Sequence, residues 1–189
     1  MSYLIFDIEL SGVAAYDEVI EIAIIELYRD AKTYQWQQRL VFDTLISGAI
    51  SIHPDHRMLT GLSNNDIQNP SLPTLSTVLS KLMTSYPNAV WASYGCLFDL
   101  VWIKHSLELN GTSPALIAEV DQIRWVCLLK LTQQMTGRKL SLDDICQTQR
   151  EHHRALPDAL LHVQLARRWD ISQREYQQGG IPTLQNYGF

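Results

Sequence analysis

Five side chains have the types and spacing to do chemistry together: Asp7 and Glu9 in YLIFDIELSG, Asp99 in GCLFDL, and His153 and Asp158 in HRALPD. Strand side chains alternate between faces, so Asp7 and Glu9, two apart in an otherwise apolar run, project together. Two carboxylates on one shielded face repel each other, and a cation offsets that cost. Oxygen donors with no cysteine and few histidines suit magnesium or manganese rather than zinc. Taken singly, the other three residues have ordinary readings. Asp99 and Asp158 fall where helices would begin, and an acid there interacts favourably with the helix dipole. His153, between His152 and Arg154, reads alone as a solvated loop residue.

The elements that must position these groups follow from local pattern. Residues 3–9, 20–28 (IEIAIIELY) and 34–42 (YQWQQRLVF) are β-branched and aromatic runs between polar segments, which predicts three consecutive strands. NAVWASY, 88–94, predicts a fourth, buried one. Prolines, Asn and Asp between Ser51 and Pro73 suggest loop with short helical turns, and 74–86 has helical periodicity. Helices are also expected from Phe98 to the Asn110-Gly111 stop, over 124–137 ending in Gly137, over a shorter stretch of 140–149, and from Pro157 to Trp169. Strands first and alternating elements afterwards imply a mixed α/β sheet with helices packed on it. Residues 1–178 read as one domain and 179–189 (GGIPTLQNYGF) as a C-terminal tail without a clear period.

In combination the motifs are more specific. FDIE, then IEIAIIEL with Glu21, LTGLSNND at 59–66, FD at 98–99 and H-x-A-x-x-D at 153–158 resemble, in order and spacing, the DEDDh (DnaQ-like) 3′-to-5′ exonucleases, over about residues 3 to 170. The resemblance implies a ribonuclease-H-like fold, a mixed five-stranded sheet flanked by helices. It implies a metal-dependent exonuclease that hydrolyses phosphodiester bonds at the 3′ ends of single-stranded DNA or RNA and releases nucleoside 5′-monophosphates. Asp7, Glu9, Asp99 and Asp158 match the family's acidic positions, which hold two Mg2+ or Mn2+ ions, and His153 matches its general base. An imidazole, with an ordinary pKa of about 6.5, suits that role near neutrality. By family position Leu10, Ser11, Thr60 and Phe98 are the candidates for contact with the terminal nucleotide.

The sequence departs from the family pattern in places. Leu10-Ser11-Gly12 stands where Thr-Thr-Gly or Thr-Gly is common, and Gly95 stands where many members have asparagine, a version that leans towards RNA. Arg138, Lys139, Arg150 and Arg154 could hold phosphates or be solvated surface. The alternative to an enzyme is a catalytically silent nucleic-acid-binding or scaffolding protein on the same fold; a missing acid or histidine would have favoured it. An aspartate-nucleophile phosphatase would want a second aspartate where Glu9 stands.

Composition sets outer limits. Twenty acidic against fifteen basic residues give a net charge of −5, the wrong sign for a general nucleic-acid binder. Two divalent cations would add +4 and leave −1, so the acidic balance does not exclude such a substrate. No run approaches the roughly 18 apolar residues of a membrane span, and three scattered cysteines suit neither a zinc cluster nor a disulfide framework. The expected location is cytoplasmic.

Overall fold

The structure is a computed structural model that describes residues 2–48, 51–147 and 151–172. The tail at 179–189, the proposed boundary at 178 and Arg150 lie outside the described residues. β1 (Ser2–Leu10), β2 (Val19–Arg29) and β3 (Trp36–Leu45) form an antiparallel meander. β4 (Val90–Ser93) and β5 (Trp125–Cys127) add in parallel on the other side of β1, which gives the order β3-β2-β1-β4-β5. The expected mixed five-stranded α/β sheet, of ribonuclease-H-like topology, is therefore present.

The central strand is buried on both faces, and that decides where the chemistry can sit. On β1, Leu4, Phe6, Ile8 and Leu10 join a core with α3 (Leu75–Ser85), α4 (Cys96–Leu109) and α5 (Pro114–Asp121). Tyr3 and Ile5 face the other way, into a core with α6 (Leu128–Thr136) and α8 (Ala155–Arg168). Phe6 packs between Trp91 and Trp125 with ring centroids 5.9 and 4.9 Å away. Full burial of such side chains contributes about 1.5–3 kcal/mol each. Asp7 and Glu9 continue the face of Tyr3 and Ile5, towards α8, at the end of the strand where that apolar layer stops.

Short helices α1 (Pro54–Thr60), α2 (Asn64–Ile67) and α7 (Leu142–Cys146) fill the loops. Three elements correct the sequence reading. The expected helix over 124–137 begins with the strand β5, since three apolar residues merge without a turn into the helix that follows. The Ser113-Pro114 start of α5, with the Ser113 hydroxyl accepting from the Leu116 N–H at 3.4 Å, was not recognised. The last helix starts at Ala155, two residues before Pro157, which is tolerated because first-turn N–H groups have no intrahelical acceptor.

Candidate active site

Three elements bring the predicted residues to one end of the sheet. β1 carries Asp7 and Glu9, the first turn of α4 carries Asp99, and the first turn of α8 carries Asp158 just after His153. Ligand atoms of Glu9, His153 and Asp158 all lie within 4.8 Å of one another, and His153 Nδ1 stands 3.5 Å from Asp158 Oδ2. Glu9 and Asp158 are buried, whereas His153 is 38% exposed and open to a water or substrate. Asp7 and Asp99 fall outside that tight trio. Asp7 instead faces His162, with Nε2 3.7 Å from its Oδ1.

Asp99 is enclosed where β4 turns into α4. Gly95 makes this turn with a left-handed backbone, φ 97°, a conformation that glycine adopts without steric cost. The Ser93 hydroxyl donates to Asp99 Oδ2 at 2.5 Å. Burial nevertheless pushes the Asp99 carboxyl up to about 7; the Cys127 sulfur beside it acts in the same direction, and the Ser93 bond opposes both. Cys127 is itself lowered to about 5, first because the Cys96 thiol donates to it and then because the backbone N–H groups of Lys130, Cys96 and Gly95 do. The fold thus pairs two cysteines that are far apart in sequence, with no disulfide between them.

The sign of the resulting pH dependence is fixed. An acid whose folded pKa is raised contributes stability that is full below its unfolded value, 3.8, and is lost as pH rises through about 7. The metal-free protein should therefore lose thermal stability between about pH 4 and 7, and Asp99→Asn should flatten that loss. Melting curves across this range check it; an unchanged slope in the variant would assign the loss to other groups.

The exonuclease family model matches residues 4–166. The chain belongs to the exonuclease family. No curated protein matches this chain by sequence. Among solved structures it is similar to a full-length 3′-exonuclease, with TM-score 0.67 and 15% identity over 94% of this chain and 61% of that one. It is also similar to a 3′-exonuclease solved in 3′-end-specific recognition of a histone mRNA stem-loop, with TM-score 0.64 and 14% identity over 94% and 82%. This chain therefore spans less than two thirds of the first structure's length. The DnaQ-like resemblance and the ribonuclease-H-like fold hold.

Exonucleases of this family generally use divalent metal ions. The donor set of this chain fits such an ion: buried carboxylate oxygens of Glu9 and Asp158 gathered beside the His153 imidazole.

The four substrate candidates divide. Phe98 is 54% exposed on α4, while Leu10, Ser11 and Thr60 are buried. The Ser11 hydroxyl donates to Asp17 Oδ1 and accepts from the Glu18 N–H, both at 2.9 Å. Asp17 also packs on Gly12, where a Cβ would lie 2.3 Å from its Oδ2, so the loop after β1 needs that glycine. The Thr60 hydroxyl donates to the His56 carbonyl at 2.7 Å, and the His56 ring meets the Leu10 carbonyl at 3.1 Å. The His56 ring and the His53 N–H, which donates to the Ser11 carbonyl at 2.7 Å, hold α1 against the end of β1, and the Leu59 carbonyl of α1 accepts the His153 N–H at 2.8 Å.

Two further residues of the candidate site were not singled out from sequence. His162, 2% exposed, pairs through Nδ1 with the Phe6 carbonyl at 2.9 Å and stacks on Tyr94. Its i+4 spacing from Asp158 puts both on one helix face, and that was the available signal. Glu21, flagged only as part of a motif, accepts three bonds from the Arg154 guanidinium.

Proposed function

We propose that this chain is a metal-dependent 3′-to-5′ exonuclease that removes nucleoside 5′-monophosphates from single-stranded DNA or RNA. The observation that carries the reading is the convergence of Glu9, His153 and Asp158 within 4.8 Å, on the sheet face that also carries Asp7. Asp7, Glu9 and Asp158 would hold one Mg2+ or Mn2+, and Asp7 with Asp99 the second. When bound, two such ions activate the attacking water and stabilise the leaving 3′-oxygen of an in-line displacement.

The chain's own residues do the rest. His153, open to solvent on one side, takes the proton of the attacking water as the new P–O bond forms and the P–O3′ bond breaks. Asp158 lies against Nδ1 of that ring and orients it. Phe98, exposed on α4, offers a face on which the terminal base can stack, and by family position alone Leu10, Ser11 and Thr60 would lie beside that nucleotide. Stacking of this kind is tolerant of sequence. A strand end must be unpaired to reach it, because duplex has to fray first. The Gly95 version of the motif and the histone mRNA stem-loop of one structural neighbour support RNA as the preferred substrate. Cysteines 96, 127 and 146, none of them in a disulfide, suit a reducing compartment such as the cytoplasm. No described helix is long and apolar enough to cross a membrane.

Digestion of 5′-labelled single strands and blunt duplexes with Mn2+ tests the proposal. Single strands should disappear at least about 10-fold faster, given the few kcal/mol needed to unpair and unstack an end, and a 3′-phosphate should inhibit strongly. Chromatography should show 5′-monophosphates. Nucleoside 3′-monophosphates as the products would contradict the bond order above.

A further inference from the structure

Helix α8 carries Asp158 and begins directly after His153, yet it lacks a cap of its own. Its N-cap residue, Arg154, makes no side-chain capping bond. The first N–H groups of a helix have no intrahelical acceptor, and a buried helix end must find one elsewhere. Here it comes from another element: Glu21 Oε2, on β2, accepts the Ala155 N–H at 3.1 Å. The same carboxylate is gripped by the fork of Arg154, from Nε to both oxygens at 3.0 and 2.9 Å and from Nη2 to Oε1 at 2.6 Å. The Glu21 side chain is 3% exposed and that of Arg154 41%.

Register ties this pair to the chemistry. Glu21 is the cross-strand partner of Glu9, so the strand position that grips the start of α8 lies directly beside a member of the acidic trio. The Arg154 guanidinium also lies close enough to Asp43 and Glu9 for both to favour its charged form, after its larger interaction with Glu21. A fork whose Nε and Nη2 are both engaged in this way holds a neighbouring strand.

We infer that Glu21 and Arg154 form a positioning clamp that sets His153 and Asp158 in register with Glu9. This rests on the exonuclease reading above for its effect on rate. A buried ion pair contributes little net stability against an apolar pair of similar size, because both charges must be desolvated. What it adds is a single geometry. A bidentate guanidinium fixes both distance and plane, and Lys cannot reproduce this.

The test uses the full chain carrying Glu21→Gln, Glu21→Ala, Arg154→Lys or the paired Glu21→Met/Arg154→Leu, with a 5′-labelled single strand as substrate and Mn2+ as the ion. Glu21→Ala and the paired variant should lower kcat by about 10²-fold with KM within about 3-fold, as for a misplacement near 1 Å. Their Mn2+ concentration for half-maximal thermal shift should rise about 10-fold, as for loss of a group that orients metal ligands. Glu21→Gln keeps the acceptor for Ala155 and should recover to within about 10-fold of wild type. A folded paired variant with wild-type kcat and Mn2+ midpoint would overturn the clamp. Should that variant not fold, wild-type kcat and midpoint in Arg154→Lys would do so. A rise in KM alone would assign Arg154 to substrate phosphate and equally overturn it. If the unmodified protein binds Mn2+ but degrades nothing, the exonuclease reading fails while the Mn2+ midpoints still judge the clamp.

Discussion

Asp7→Asn should abolish hydrolysis, with a fall on the order of 10³-fold or more, while the metal-free fold stays intact or becomes more stable. The large effect follows from the side chain's double duty, since it would contribute to both ion positions and so to water activation and leaving-group stabilisation together. The small effect on folding follows from its surroundings. Asp7 shares a face with Glu9 two residues on and lies opposite Ala23, so removing one charge relieves repulsion on a partly buried surface. The amide keeps the shape that meets His162. Melting with and without Mn2+ checks both halves. The wild-type midpoint should rise with the ion, by mass action on the folded state, and that of Asp7→Asn should rise far less. A wild-type midpoint indifferent to Mn2+ would count heavily against a carboxylate cradle.

His153→Ala should lower kcat by roughly 10²- to 10⁴-fold, the range for a lost general base, and leave KM nearly unchanged. The separation of the two parameters carries the argument. His153 adjoins buried Asp158 but is itself partly exposed, so it can serve the reacting water without holding the strand. The backbone of the loop should survive the substitution, because the His153 N–H bonds the Leu59 carbonyl regardless of side chain. His152 gives the internal comparison. Its ring packs on Gly61 and meets the Met58 carbonyl at 3.3 Å, and replacing it should change kcat much less. A near-normal rate in His153→Ala with loss in His152→Ala would transfer the role.

The acidic centre was legible in the sequence because its geometry is local. Asp7 and Glu9 declare a shared face by period two, and Asp158 declares its place in a first helical turn. Four of the five strands were legible for the same reason, each bounded by polar residues. β5 was not, since its three apolar residues run directly into α6. The capping of α8 was invisible because its acceptor lies 134 residues away in sequence. The inward turn of the Ser11 and Thr60 hydroxyls was equally hidden. Either could have faced a ribose, and only the positions of Asp17 and α1 decide that each is bonded within the protein. The Cys96 and Cys127 contact needed the parallel pairing of β4 and β5, which sequence period does not encode.

Polarity and the need for a strand end define the proposed activity. Matched linear and circular single strands of RNA and of DNA, each incubated with Mg2+ or Mn2+ and the wild-type protein or Asp158→Asn, provide the most direct test. Linear 5′-labelled strands should shorten stepwise from the 3′ end with the wild-type protein, circles should survive, and Asp158→Asn should leave both intact. Loss of circles at the linear rate, or shortening that persists in Asp158→Asn, would contradict the account.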